Sequence, residues 1–228
     1  MRHLACFGLV LGLFAGPAAA QETTPICQAA AGGSGAEVKA LLAGGASLTT
    51  SCEYGYHPIH TAVSKNNLGA LEALLAAGAD ANDPHGYQGQ TPIISVQSAA
   101  AARLLIARGA KVGARDKNGA STLSHVASNT PGFISEAEGA AIAQLLLDHG
   151  FPVDAQDRFG NTALADSGRF CQLPMVRVLL DHGASPNLRS AGETVLGRLH
   201  PEYYADDPSK QAACRQVQAL LIAHGAVK

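Results

Sequence analysis

Six times along the chain a pair of bulky aliphatic residues is followed, three residues after its second member, by glycine. The pairs are Leu41-Leu42 with Gly45, Leu74-Leu75 with Gly78, Leu105-Ile106 with Gly109, Leu146-Leu147 with Gly150, Leu179-Leu180 with Gly183 and Leu221-Ile222 with Gly225. An aliphatic pair at the end of a helix packs it against its neighbours, and glycine supplies the left-handed conformation that stops it. By subtraction the glycines lie 33, 31, 41, 33 and 42 residues apart. A fixed period of 20–50 residues is the mark of stacked helical units rather than of a single closed core. Two of the intervals carry eight or nine extra residues. The 47% hydrophobic content has no Trp and few aromatics, which favours helices packed through Ala, Leu and Val.

Ahead of each pair the sequence sets up a first helix. Thr91, Ser121, Thr162 and Thr194 stand where a hydroxyl caps a helix, and Pro58 and Pro92 occupy the first helical position, where no amide donor is missed. The clearest unit reads His57-Pro58-Ile59-His60-Thr61-Ala62, followed by the apolar Leu71 to Ala77 and the stop Gly78-Ala79-Asp80-Ala81-Asn82. It resembles the ankyrin repeat, with its T-P-L-H-x-A start and period near 33. Later units match by spacing more than by identity, as in Thr162-Ala163-Leu164-Ala165. The resemblance implies an all-α solenoid of about six helix-turn-helix repeats with short hairpin loops, at about 25–48, 49–82, 83–114, 115–155, 156–188 and 189–228. The first lacks a T-P-L-H start and is expected to cap the stack. Its Gly32-Gly33-Ser34-Gly35 run has no G-K-[ST] ending and reads as a turn between helices, not a phosphate loop.

The chain opens Met1-Arg2-His3, is apolar from Leu4 to Phe14 and reaches Ala18-Ala19-Ala20 before Gln21. That pattern predicts a secretory signal over residues 1–20, and with it a periplasmic or secreted protein. Cys6 precedes the apolar stretch and is not read as a lipidation site. After cleavage, 16 − 1 = 15 basic side chains face 18 acidic ones. A net charge near −3 draws the chain to neither nucleic acid nor anionic lipid, and no other stretch has the roughly 20 apolar residues of a membrane span. Cys27, Cys52, Cys171 and Cys214 remain. Four cysteines permit three pairings. In a stack whose repeats touch only their neighbours, Cys27 with Cys52 and Cys171 with Cys214 is favoured.

In ankyrin folds the hairpin tips and first helices line a concave groove that binds protein partners. Carried over by position, the tips are Glu53-Tyr54-Gly55-Tyr56, His85-Gly86-Tyr87-Gln88, Asp116-Lys117-Asn118, Asp157-Arg158-Phe159 and Arg189-Ser190-Ala191. Tyr54, Tyr56, Tyr87, Lys117, Arg158 and Phe159 are the expected contacts there, since exposed aromatics and cations dominate interface energetics. Tyr203 and Tyr204 join them in the second insertion, residues 200–213; the first spans 128–138. Both insertions are expected between first and second helices. No G-x-S-x-G, H-E-x-x-H or paired thiol motif argues for catalysis or a metal. His149, His182 and His224 each precede a terminating glycine and suit a helix C-terminus. The expectation is a monomeric, cofactor-free protein that binds another protein. Exported bacterial ankyrin proteins resembling this one act as immunity proteins against periplasmic toxins, or as accessory partners of enzymes such as a catalase; a structural role in the envelope is the third reading.

Overall fold

The computed structural model describes residues 24–128, 134–190 and 192–227. The expected signal segment, residues 129–133 of the first insertion and Ala191 of the last tip lie outside them. Ten α-helices run along the described residues: α1 Pro25–Gly32, α2 Gly35–Ala43, α3 Pro58–Ser64, α4 Leu68–Ala76, α5 Ala99–Ala107, α6 Thr122–Ala127, α7 Glu136–Asp148, α8 Ala163–Arg169, α9 Leu173–Asp181 and α10 Pro208–Ala223. They stack in two ladders. In one, α1 packs on α3, α3 on the 3-10 turn Pro92–Ser95, that turn on α6, and α6 on α8; in the other, α2, α4, α5, α7, α9 and α10 follow in order. This is the helix-turn-helix solenoid that the period implied.

The local reason is the six-fold stop. Gly45, Gly78, Gly109, Gly150, Gly183 and Gly225 all have φ between 80° and 95°. Behind each, the next amide turns back to the carbonyl of the first aliphatic residue, from Ala46 to Leu41 at 3.0 Å through Ala226 to Leu221 at 3.0 Å. These are Schellman closures, which satisfy carbonyls the helix leaves unpaired. The histidines ahead of three of them add a further donor. Nδ1 of His149, His182 and His224 contacts the carbonyls of Leu145, Val178 and Leu220 at 2.8, 2.8 and 2.9 Å. A carbonyl only accepts, so each imidazole carries its proton on Nδ1. That contact, helped by Asp148, raises the pKa of His182.

Small residues set how closely the ladders approach. Ala62, Ala70, Ala101, Ala102, Ala127 and Ala143 are fully buried. Between α2 and α4 the chains nearly touch, and a methyl on Gly35 would stand 2.5 Å from the carbonyl oxygen of Gly69. Asparagines then stitch unit to unit. Asn82 donates to the Gly109 carbonyl at 2.9 Å and accepts from the Lys111 amide at 2.8 Å. Asn187 repeats this with Gly225 and Val227.

The structure corrects three local expectations. The third unit, two residues short of the period, has only the 3-10 turn Pro92–Ser95 where a first helix was expected, and the last has only a turn at 195–197. Thr91 consequently does not cap. In a 3-10 turn the Ile94 amide bonds the Thr91 carbonyl at 3.0 Å, so nothing is left for the hydroxyl to accept, and Thr91 Oγ1 is buried without a partner. Where a true helix forms, the caps hold: Thr162 Oγ1 accepts from Ala165 at 3.2 Å and Ser121 forms a capping box with Ser124. Thr91→Val is therefore expected to stabilise the fold by up to about 1 kcal/mol, while Thr162→Ala loses about 1 kcal/mol. Urea unfolding of the two variants checks both signs.

Third, the insertions are not wholly loops. Helices α7 and α10 have 13 and 16 residues, against nine in α2, α4, α5 and α9. Residues 136–138 and 208–213 thus extend the second helices toward their N-termini. The extensions meet: Lys210 Nζ lies 2.6 Å from Glu136 Oε1. Glu138 Oε1 accepts from the Ala99 amide at 2.5 Å, so one insertion also caps α5. Such helix-end carboxylates are favoured by the positive N-terminal dipole.

Two cysteine pairs lie at disulfide-bonding distance, Cys27 with Cys52 and Cys171 with Cys214, their Cα atoms 5.5 and 4.7 Å apart. Each joins one end unit to its neighbour. Among the described residues no helix is long and apolar enough to cross a membrane.

Candidate protein-binding site

The hairpin tips are built by backbone that turns left-handed. Tyr54 and Gln88, at φ 59° and 54°, each precede a glycine that is also left-handed, Gly55 and Gly89. Consecutive positive φ values make the tight hairpin turn that follows the natural strand twist. A bulky residue seldom occupies the first of these positions. Here it leaves the Tyr54 ring 80% exposed, beside Tyr56 at 6.0 Å between centroids. Further along, Asp116 and Asp157 close their tips by accepting two amides each, from Asn118 and Ala120 and from Phe159 and Asn161. Neighbouring tips are tied together: the Lys117 amide donates to the Gln88 carbonyl at 3.0 Å and Arg158 Nη1 to Asn118 Oδ1 at 2.7 Å.

Stacking brings the first three tips around one open cleft of about 660 Å³, lined by Tyr54, Tyr56, His85, Tyr87, Gln88 and Lys117 among others. Tyr87 is 62% exposed. A smaller hollow of about 290 Å³ continues on the other side of Tyr54 and Tyr56 toward Thr61, Ser64 and Lys65. The other candidates stand apart from the cleft. Arg158 lies over the ring of its neighbour Phe159, 4.5 Å from the centroid, on the fourth tip. Tyr203 stacks on His200 at 4.8 Å in the 3-10 turn Pro201–Tyr204, where Tyr204 is half-buried. Neither pair lines the cleft.

Two polar clusters escaped the sequence reading. On the first helices' side, Arg198 bonds Asn161 Oδ1 at 2.7 Å and pairs with buried Asp166 at 3.7 Å. Burial raises the pKa of Asp166 and the Arg198 charge partly offsets it. Beside them His125 is held below its ordinary pKa by burial, which outweighs Asp116. The second cluster gathers three histidines on Asp83. His57 Nδ1 is hydrogen-bonded to Asp83 Oδ2, His85 Nδ1 lies 2.7 Å from Oδ1, and His60 Nε2 donates to the Asp83 carbonyl at 3.0 Å. Burial pushes the Asp83 carboxyl up, but the bonds from His57 and from the amide and ring of His85 bring it below the ordinary range. Burial lowers the pKa of His60, although Asp83 works against it. The signal was a histidine ahead of one helix and Asp-Pro-His ahead of the next tip, 26 residues on; only the stack shows that these face each other.

A family model of ankyrin repeats in three copies matches residues 3–85 and 93–190. The chain belongs to the ankyrin-repeat family. The crystal structure of the ankyrin repeat domain of Bcl-3, a unique member of the IkappaB protein family, is similar to this ankyrin chain with a TM-score of 0.70 and 26% identity, over 90% of this chain and 88% of that one. An ankyrin repeat domain from Acinetobacter baumannii AYE shares the fold at a TM-score of 0.67 and 23% identity, over 89% and 98% of the two chains. No curated protein matches the sequence. The ankyrin solenoid is a protein-interaction module, and the tip cleft of this member holds Tyr54 and Tyr87, two of the four exposed aromatics among the described residues.

Proposed function

We propose that this ankyrin protein is exported and binds a partner protein across its first three hairpin tips, as an inhibitor of the immunity-protein kind. The observation that carries the binding site is the convergence of Tyr54, Tyr56, Tyr87 and Lys117 on one cleft. Aromatic rings supply large contact area at little entropic cost, and Lys117 adds a cation at the rim. The left-handed Tyr54 supports the reading, since strain kept at an exposed ring has no packing benefit to set against it. Export is supported by the signal-like N-terminal sequence and by the two cysteine pairs, which persist in oxidising compartments. An acidic inhibitor suits a basic toxin through steered association.

Affinity capture from periplasmic extract tests the site. A variant with Tyr54→Asn, Tyr56→Ala and Tyr87→Ala is expected to lose the partner captured by the parent, with binding weakened at least 100-fold. Tyr54→Asn alone is expected to leave the melting temperature unchanged or raised, because Asn tolerates the left-handed region. Equal capture by parent and triple variant would remove the cleft as the binding site. A toxin among the captured proteins supports the inhibitory role; a catalase-like enzyme that keeps its activity when bound makes this an accessory protein instead.

A further inference from the structure

We infer that His57, Asp83 and His85 form a binding site for a divalent transition-metal ion of the zinc, nickel or copper class, at the inner edge of the tip cleft. The donor atoms of these three residues lie within 4.8 Å of one another. Zinc bonds of about 2.0–2.2 Å in a tetrahedral arrangement place ligand atoms roughly 3.4 Å apart. Both Nδ1 atoms now lie closer than that to the Asp83 carboxylate, His57 in a hydrogen bond to Oδ2 and His85 at 2.7 Å from Oδ1, so side-chain shifts of about an ångström would open room for an ion. The two imidazoles are stacked at 4.1 Å between centroids and bring their Nδ1 atoms to opposite oxygens of one carboxylate.

The set is also held from behind. His57 and Asp83 are 9% and 7% exposed, and the Asp83 backbone is fixed by the His60 ring on its carbonyl. The His85 amide donates to Asp83 Oδ1 at 2.8 Å, which orients the carboxylate. The next residue must be glycine, since a methyl on Gly86 would come within 2.8 Å of His60 Nδ1. Such outer contacts are what keep metal ligands aimed. His85 in contrast is 58% exposed at its side chain and lines the cleft, leaving the open coordination position on the solvent side. Two imidazole nitrogens and one carboxylate oxygen favour zinc, nickel or copper over calcium or magnesium, which take oxygen ligands.

The test uses the full mature chain without a histidine tag, stripped with EDTA and titrated with ZnCl₂ by calorimetry. The expected result is one equivalent bound at micromolar Kd or tighter, with a higher melting temperature in Zn²⁺ and no change in Mg²⁺. Co²⁺ loading should give the visible absorption of a four- or five-coordinate site. His85→Ala, which removes an exposed ring, is expected to weaken binding at least tenfold, whereas His224→Ala at the far end leaves it unchanged. No saturable binding, or binding that His85→Ala leaves intact, would show the cluster to be a hydrogen-bonded tie between repeats and overturn the inference. The proposal is independent of the partner: capture can fail while the ion still binds.

Discussion

Removing the Cys171–Cys214 bridge with paired serine substitutions is expected to lower the unfolding free energy by about 4 kcal/mol. The figure follows from the 43-residue separation of the two cysteines and the loop-closure entropy that the bridge takes from the unfolded chain. The same treatment of Cys27–Cys52, 25 residues apart, gives about 3.5 kcal/mol. The effect falls where a solenoid is weakest. An interior unit is held from both sides, but an end unit has one neighbour, and in an array the stability is a sum of unit and interface terms. The last unit is poorer still, because its first helix is reduced to a turn. Reduction should therefore fray α10 and α1 before the centre moves. Urea unfolding with and without reductant measures the loss, and amide hydrogen exchange locates it. A change below about 1 kcal/mol, or uniform loss of protection along the chain, would contradict this account.

Within the aliphatic pairs, the second large effect separates two residues that the sequence presents as equivalent. Leu146→Ala is expected to cost about 3–5 kcal/mol, and Ile222→Ala under about 1 kcal/mol. In five of the six pairs the first member, Leu74, Leu105, Leu146, Leu179 or Leu221, is at 0% exposure, while Leu41 in the first unit is half-buried. Each of the five fills the seam between the two ladders, so truncation leaves a cavity that the rigid neighbours cannot close. Second members are less uniform. Leu75, Leu147 and Leu180 are 5–8% exposed and Leu42 and Ile106 are half-buried, whereas Ile222, on the last described helix, is 55% exposed. Parallel chemical denaturation of the two variants checks the contrast. Equal losses would mean that Ile222 is covered in solution, by a second copy or by a partner.

The fold was legible because its causes are local and repeated. A Schellman stop involves residues within one turn of a helix, a cap involves four, and both recur at a period that the eye can count. The ankyrin resemblance, carried over by position, put Tyr54, Tyr56, Tyr87 and Lys117 on hairpin tips. The local reading failed where length overrode pattern. Thr91-Pro92 carries every mark of a helix start, yet the two residues missing from its repeat leave room only for a 3-10 turn. In the insertions, Pro208 and Ser135 begin helices early and turn apparent loops into extra turns.

By itself, then, the sequence determined the number of stops, the helical character of the units and the position of the tips, since each depends on neighbours a few residues away. Tertiary structure alone decided which tips share a cleft, that Arg158 and Phe159 stand outside it, and that His57 meets Asp83 and His85 across 26 residues. Those facts depend on how far each unit is shifted and rotated on the last. That offset is fixed by packing as fine as the approach of Gly35 to Gly69, and no pattern within a single repeat encodes it.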